Sequence, residues 1–160
     1  MAINRMIRDL DLAVPNPGDL RRIEVIVDGL GIFGCAQLAV DATMVSPVRA
    51  DGLPRTGAAA RDGVALTTAR LRKQRTYPEL SGRHRRSRLV VLATETGGRW
   101  SSETRGFLCA LARCRARSEP PLLRKRVEQA WRMRWWSNFV MHCGSCSGRV
   151  FGGLLGRRWG

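Results

Sequence analysis

Apolar and polar residues alternate with period two along residues 21–28 and again along 37–45. In the first stretch Ile23, Val25 and Val27 fall on one side and Arg22, Glu24, Ile26 and Asp28 on the other. In the second, Leu38, Val40, Ala42 and Met44 oppose Gln37, Ala39, Asp41 and Thr43. This period predicts two half-buried strands, and the Gly-rich residues 29–35 suit a loop between antiparallel neighbours. A register that sets Glu24 opposite Asp41 also sets Asp28 opposite Gln37. All four polar groups then share one face, with opposed Cβ atoms ~5 Å apart. Two carboxylates at that spacing repel, and a divalent cation would offset the repulsion. A sheet with one solvated face would carry the same pattern, so both readings stand at this point.

Residues 1–12 read as a short helix ended by Val14-Pro15-Asn16-Pro17-Gly18. A second helix runs from Ala58 or Asp62 to Thr76 and stops before Pro78. Leu66, Ala69, Lys73 and Tyr77 lie three and four apart along it and so share a face. Lys73 is either aimed at the sheet or solvated within the run Arg70, Arg72 and Arg75. Leu89–Glu95 reads as a buried strand, followed by a Gly turn and a helix capped by Ser101 or Ser102. Thr104, Phe107, Leu108, Leu111 and Ala112 form that helix's core stripe. Glu119-Pro120-Pro121 breaks it, and a last helix spans about 121–141, with Leu123, Val127, Ala130, Trp131, Arg134, Trp135 and Asn138 on one face. The expected fold is α/β (α+β): a small sheet with a β-hairpin, a crossover helix, a further buried strand and two C-terminal helices. Residues 1–20 form a lead-in, 21–118 the core, 119–142 a basic amphipathic helix and 143–160 a disordered tail.

At 160 residues the chain makes one domain. Its net charge of +15 favours an anionic polymer as partner, nucleic acid before a membrane surface. The cations are overwhelmingly arginine, with lysine only at Lys73 and Lys125, a bias that GC-rich coding also produces. Candidate phosphate contacts are Arg70 and Arg75 on the crossover helix, Arg83, Arg85 and Arg86 in the basic stretch 81–88, and Arg99 in the Gly turn. Stretch 81–88 reads equally well as a plain surface loop, and His84 within it has no acidic or cysteine neighbour. Cys143-Gly-Ser-Cys146 beside His142 is a single CxxC without a second pair; a structural zinc site wants four ligands, and the other cysteines lie far away in elements of their own. The odd, irregular cysteines suit a reduced compartment. No leader-like apolar segment opens the sequence, and no uncharged apolar run reaches ~18 residues. The expectation is an intracellular protein outside the membrane.

The order of these elements resembles the restriction-like endonuclease domain, a PD-(D/E)XK-type fold, of non-long-terminal-repeat retrotransposon reverse-transcriptase proteins. Arg22-Ile23-Glu24 stands where that family has Arg-Pro-Asp, and Asp41-Ala42-Thr43 where it has Asp-Val-Thr. Lys73-Gln-Arg-Thr-Tyr77 fills the helix motif and Gly97-Gly98-Arg99-Trp100 the turn, over about residues 20–110. The departures are Ile23 and Glu24 themselves and a longer gap to Asp41, which makes Asp28 a rival first acid. The resemblance implies Mg²⁺-dependent hydrolysis of DNA rather than RNA, and a nuclear location. It implies that Asp41 and Glu24 (or Asp28) hold the metal, that Lys73 holds water or phosphate, that Tyr77 braces Lys73, and that Glu95 is a third carboxylate. Two other classes remain: a basic module that binds nucleic acid without cutting it, and a mobile-element remnant.

Overall fold

The computed structural model describes residues 2–7, 18–30, 32–34, 37–80 and 87–143. Four strands form a mixed sheet in the order β1 (Ala2–Met6), β2 (Arg22–Asp28), β3 (Gln37–Val45) and β4 (Ser87–Glu95). The first three are antiparallel neighbours; β3 and β4 are parallel, joined through α1 (Val64–Thr76). Two further helices, α2 (Ser102–Ala116) and α3 (Pro121–Cys143), complete a mixed α+β architecture. Among the described residues, no helix is long and apolar enough to cross a membrane.

The expected hairpin is present, with Val25 opposite Val40 and Asp28 opposite Gln37. The N-terminal segment departs from expectation. Ile3, Met6 and Ile7 are spaced for a helix, yet Ala2–Met6 is a strand paired with β2. Without it the apolar strand β2 would present an open hydrogen-bonding edge, and tertiary pairing overrides a weak local pattern. Residues 1–20 are therefore not merely a lead-in.

Apolar side chains cover both faces of the sheet. On one, Val25, Val27, Leu38, Val40, Val90 and Leu92 meet Phe107, Leu108, Leu111 and Ala112 of α2 and Trp135 of α3. On the other, Ile26, Ala39, Leu89, Val91 and Ala93 meet Leu66, Tyr77 and Leu80. Ile23, in phase with Val25 and Val27, joins this second cluster, beside Ile7 at the end of the strand. The solvated-face reading is thereby corrected: the face that carries Asp41 lies beneath α1. Its core stripe on α2 is as expected, capped by the Ser101 hydroxyl, which accepts from the Thr104 amide at 3.1 Å.

Helix α1 begins later than Ala58 or Asp62 because Gly63 holds a left-handed backbone (φ 72) just before it. It ends before Pro78 as expected. Helix α3 starts at the expected proline and docks through its second half. Trp135 is buried whereas Leu123 and Ala130, expected on the same docked face, are exposed. Residues 144–160, which include Cys146 and the expected disordered tail, lie outside the described residues, as do Arg83, His84, Arg85 and Arg86.

Candidate active site

Strand β3 is paired on both edges, so Asp41 sits in the middle of the sheet. Its parity with Ala39 places it on the α1 face, where it is 3% exposed. A carboxylate buried that deeply needs a partner. Helix α1 supplies it: Leu66 and Ala69 are buried against the sheet, and Lys73, one turn on, reaches Asp41 with Nζ 2.6 Å from Oδ2. The small side chain of Ala69 lets the helix come close enough for that contact.

The hairpin register, carried one step beyond Val25–Val40, sets Glu24 beside Asp41. Glu24 is exposed as a residue, but its Oε2 accepts a hydrogen bond from the Ala42 amide at 3.0 Å. Burial pushes its carboxyl above the ordinary range, the Ala42 amide pulls it down, the Asp41 charge adds to the rise, and Lys73 lowers it. Glu24, Asp41 and Lys73 thus converge, two acids and one amine from three successive elements.

Tyr77 caps the C-terminus of α1, buried, and its hydroxyl donates to the Arg22 carbonyl at 2.7 Å. Burial first, then the charges of Asp41 and Glu24, push the phenol up to about 12 against the opposing pull of Arg21. It therefore stays protonated and ties the end of α1 to β2 next to Glu24. Arg21 strengthens this tie. It donates to the Thr76 carbonyl at the end of α1, pairs with Glu79 at 2.7 Å, and lies 5.6 Å from the centroid of the Tyr77 ring. It also binds Asp19, holding that carboxyl below its usual range. Nothing local in the sequence singles out Arg21 as a tie to α1, because Thr76 and Glu79 lie far along the chain.

Two expected metal ligands stand apart from the cluster. Asp28 is four residues from Glu24, about 13 Å along the strand, and accepts from Gln37 Nε2 at 2.8 Å. Of the two rival first acids, Glu24 is the one that the register sets beside Asp41. Glu95 pairs in register with Val45 while Asp41 pairs with Val91, a similar separation the other way. It is buried beside Arg99, with Nε 3.7 Å from its Oε2. Three of the expected phosphate contacts lie among the described residues. Arg70 is engaged by Glu103 at 3.1 Å and Arg99 by Asp62 at 2.8 Å, while Arg75 is exposed in the last turn of α1.

Among the described residues no group of three or more His, Cys, Asp or Glu side chains is assembled for a metal. Glu24 and Asp41 would be its only carboxylates. That donor set fits Mg²⁺, which takes one or two carboxylates and keeps several waters. The buried Oδ2 of Asp41 touches Lys73 without the geometry of a hydrogen bond, which leaves it acceptor capacity facing the cluster. Comparison with protein-family models, with curated proteins and with solved structures finds no match for the chain.

Proposed function

We propose that the chain is a restriction-like nuclease that hydrolyses phosphodiester bonds in DNA with Mg²⁺ held by Glu24 and Asp41. The observation that carries this reading is the convergence of Asp41, Glu24 and Lys73 on one face of the sheet, with Lys73 Nζ 2.6 Å from Asp41 Oδ2. The order of the elements that bring them there, strand, strand, then helix, is the order in the family the sequence resembles. The net charge of +15 suits a polyanionic substrate, and the DNA partner implies a nuclear location.

When bound, Mg²⁺ supplies Lewis-acid charge at the phosphate and an activated water. The chain's own residues do the rest. Glu24 and Asp41 fix the position of that charge, with Glu24 oriented by the Ala42 amide. Lys73, a compact cation on a flexible stem, turns from Asp41 to the non-bridging phosphate oxygens. Tyr77 and Arg21 hold the end of α1 so that Lys73 stays in reach.

The test is nicking of a supercoiled plasmid by wild type and Asp41→Asn, each in Mg²⁺ and in EDTA. Nicking by wild type in Mg²⁺ alone is expected. An Asp41→Asn variant that nicks as well as wild type overturns the assignment. The closed contact of Lys73 on Asp41 favours one other reading: the pair only pins α1 to the sheet, and the basic surface binds nucleic acid without cutting it. Affinity would then fall steeply with salt and be indifferent to chelator.

A further inference from the structure

We infer that the cavity at the outer edge of β4 is a pocket for one unstacked base of a single-stranded nucleic acid. The cavity, about 540 Å³, is bordered by α1 from one face of the sheet and by the start of α2 and Trp136 of α3 from the other. Arg70, Arg99, Trp100, Arg105 and Trp136 line it. Its volume lies within the usual range of small-ligand sites.

One wall is aromatic and built from behind. Trp100 is buried in the core, and Trp136 stacks on it with centroids 5.1 Å apart at 27°. Trp136 is nevertheless 40% exposed, an indole held rigid by its neighbour yet open to a ligand. Stacking of a base on such a platform is tolerant of base identity.

The rest of the lining carries three arginines and the carboxylates of Asp62 and Glu103 among neutral residues. Arg70 is held by Glu103. Arg105 is paired with no carboxylate among the described residues. Arg99 has its Nε beside the buried Glu95 carboxylate and pairs through its outer nitrogen with Asp62, whose side chain is almost fully exposed. An ion pair on such a surface is worth ~0–1 kcal/mol, so Arg99 can exchange Asp62 for a phosphate while its Nε stays beside Glu95. Stacking wall and phosphate contacts therefore sit together, which suits a nucleotide better than a free apolar ligand or a lone anion. A duplex keeps both faces of its bases covered, so the pocket selects single strands.

Arg70 precedes Lys73 by three residues on α1, ~4.5 Å along the axis. This inference rests on the proposed function only in taking nucleic acid as the partner, not on cleavage.

The test is a titration of the full chain in EDTA, followed by tryptophan fluorescence, with a twelve-nucleotide oligo(dT), an abasic strand of the same backbone, and a duplex. Oligo(dT) is expected to quench the fluorescence and to bind about 5- to 150-fold more tightly than the abasic strand, the worth of stacking one base. Trp136→Leu should bring oligo(dT) down to the abasic level, and Trp136→Phe should recover part of the difference. Arg105→Ala should weaken both strands alike. Equal wild-type affinity for oligo(dT) and the abasic strand overturns the proposal whether or not the variants fold. Because no metal is present, a chain that never nicks plasmid can still pass this test, and a chain that nicks can still fail it.

Discussion

Replacing Lys73 by methionine keeps an unbranched stem on the sheet and removes the cation that, among the described residues, pairs with Asp41. The carboxylate, 3% exposed at the centre of the sheet, is then left without its counter-charge. Breaking a buried ion pair from one side costs ~3–5 kcal/mol. The lysine side chain is itself 21% exposed, so water screens part of the loss and about 3 kcal/mol is the appropriate end of that range. For a chain of this size that lowers the melting temperature by about 6–12 °C. Circular-dichroism melts at pH 7 in EDTA measure it. Mg²⁺ should then restore most of the loss, since a cation at a hundred times its Kd contributes about 2.7 kcal/mol. In an Asp41→Asn background, Lys73→Met should cost less than about 1 kcal/mol, because no buried charge is stranded. A Lys73→Met variant that melts with wild type, or a Mg²⁺ shift equally large in Asp41→Asn, refutes the reasoning.

Tyr77→Phe removes the hydrogen bond to the Arg22 carbonyl and should cost about 0.5–1.5 kcal/mol. With the phenol raised to about 12, nicking by this variant should slow with an unaltered pH profile between 6 and 9; a shifted profile would show a titrating tyrosine instead. Glu24 has its folded pKa raised, chiefly by burial. Its contribution to stability is therefore fully present below the unfolded carboxylate value, about 4.3, and is lost as pH rises through the folded one. Glu24→Gln should accordingly melt higher than wild type at pH 7 and level with it at pH 3.5, and a gain of equal size at both would contradict the linkage. By the same sign, Mg²⁺ should stabilise wild type more at pH 7.5 than at pH 4.5, as paired melts would show.

The hairpin and its register were legible in the sequence because side-chain alternation and the polar pairs Glu24/Asp41 and Asp28/Gln37 admit few alignments. So was the α2 stripe, where Thr104, Phe107, Leu108, Leu111 and Ala112 repeat at helical spacing over about two turns. Strand β1 was not, since Ile3, Met6 and Ile7 satisfy a helical period and only the open edge of β2 decides between the two. Nor was the cover over Asp41: whether a face with two acids is wet depends on where α1 lands, which alternation does not encode. Arg21 and the Trp100–Trp136 stack depend on contacts between elements far apart along the chain. The spacing of Glu24, Asp28 and Glu95 along their strands, by contrast, was implicit once the register was known. At ~3.3 Å per residue, Asp28 and Glu95 fall too far from Asp41 to share its cation.

Sharing of one divalent cation by Glu24 and Asp41 is directly measurable. Mn²⁺, which takes the same hard oxygen donors as Mg²⁺, can be titrated into the protein while the electron paramagnetic resonance signal of the free ion is followed. Wild type should deplete that signal with one site per chain, and Mg²⁺ should compete for it. Asp41→Asn should abolish the depletion and Glu24→Gln should weaken it. A free-ion signal equally depleted by wild type and both variants would place the cation elsewhere and contradict the account.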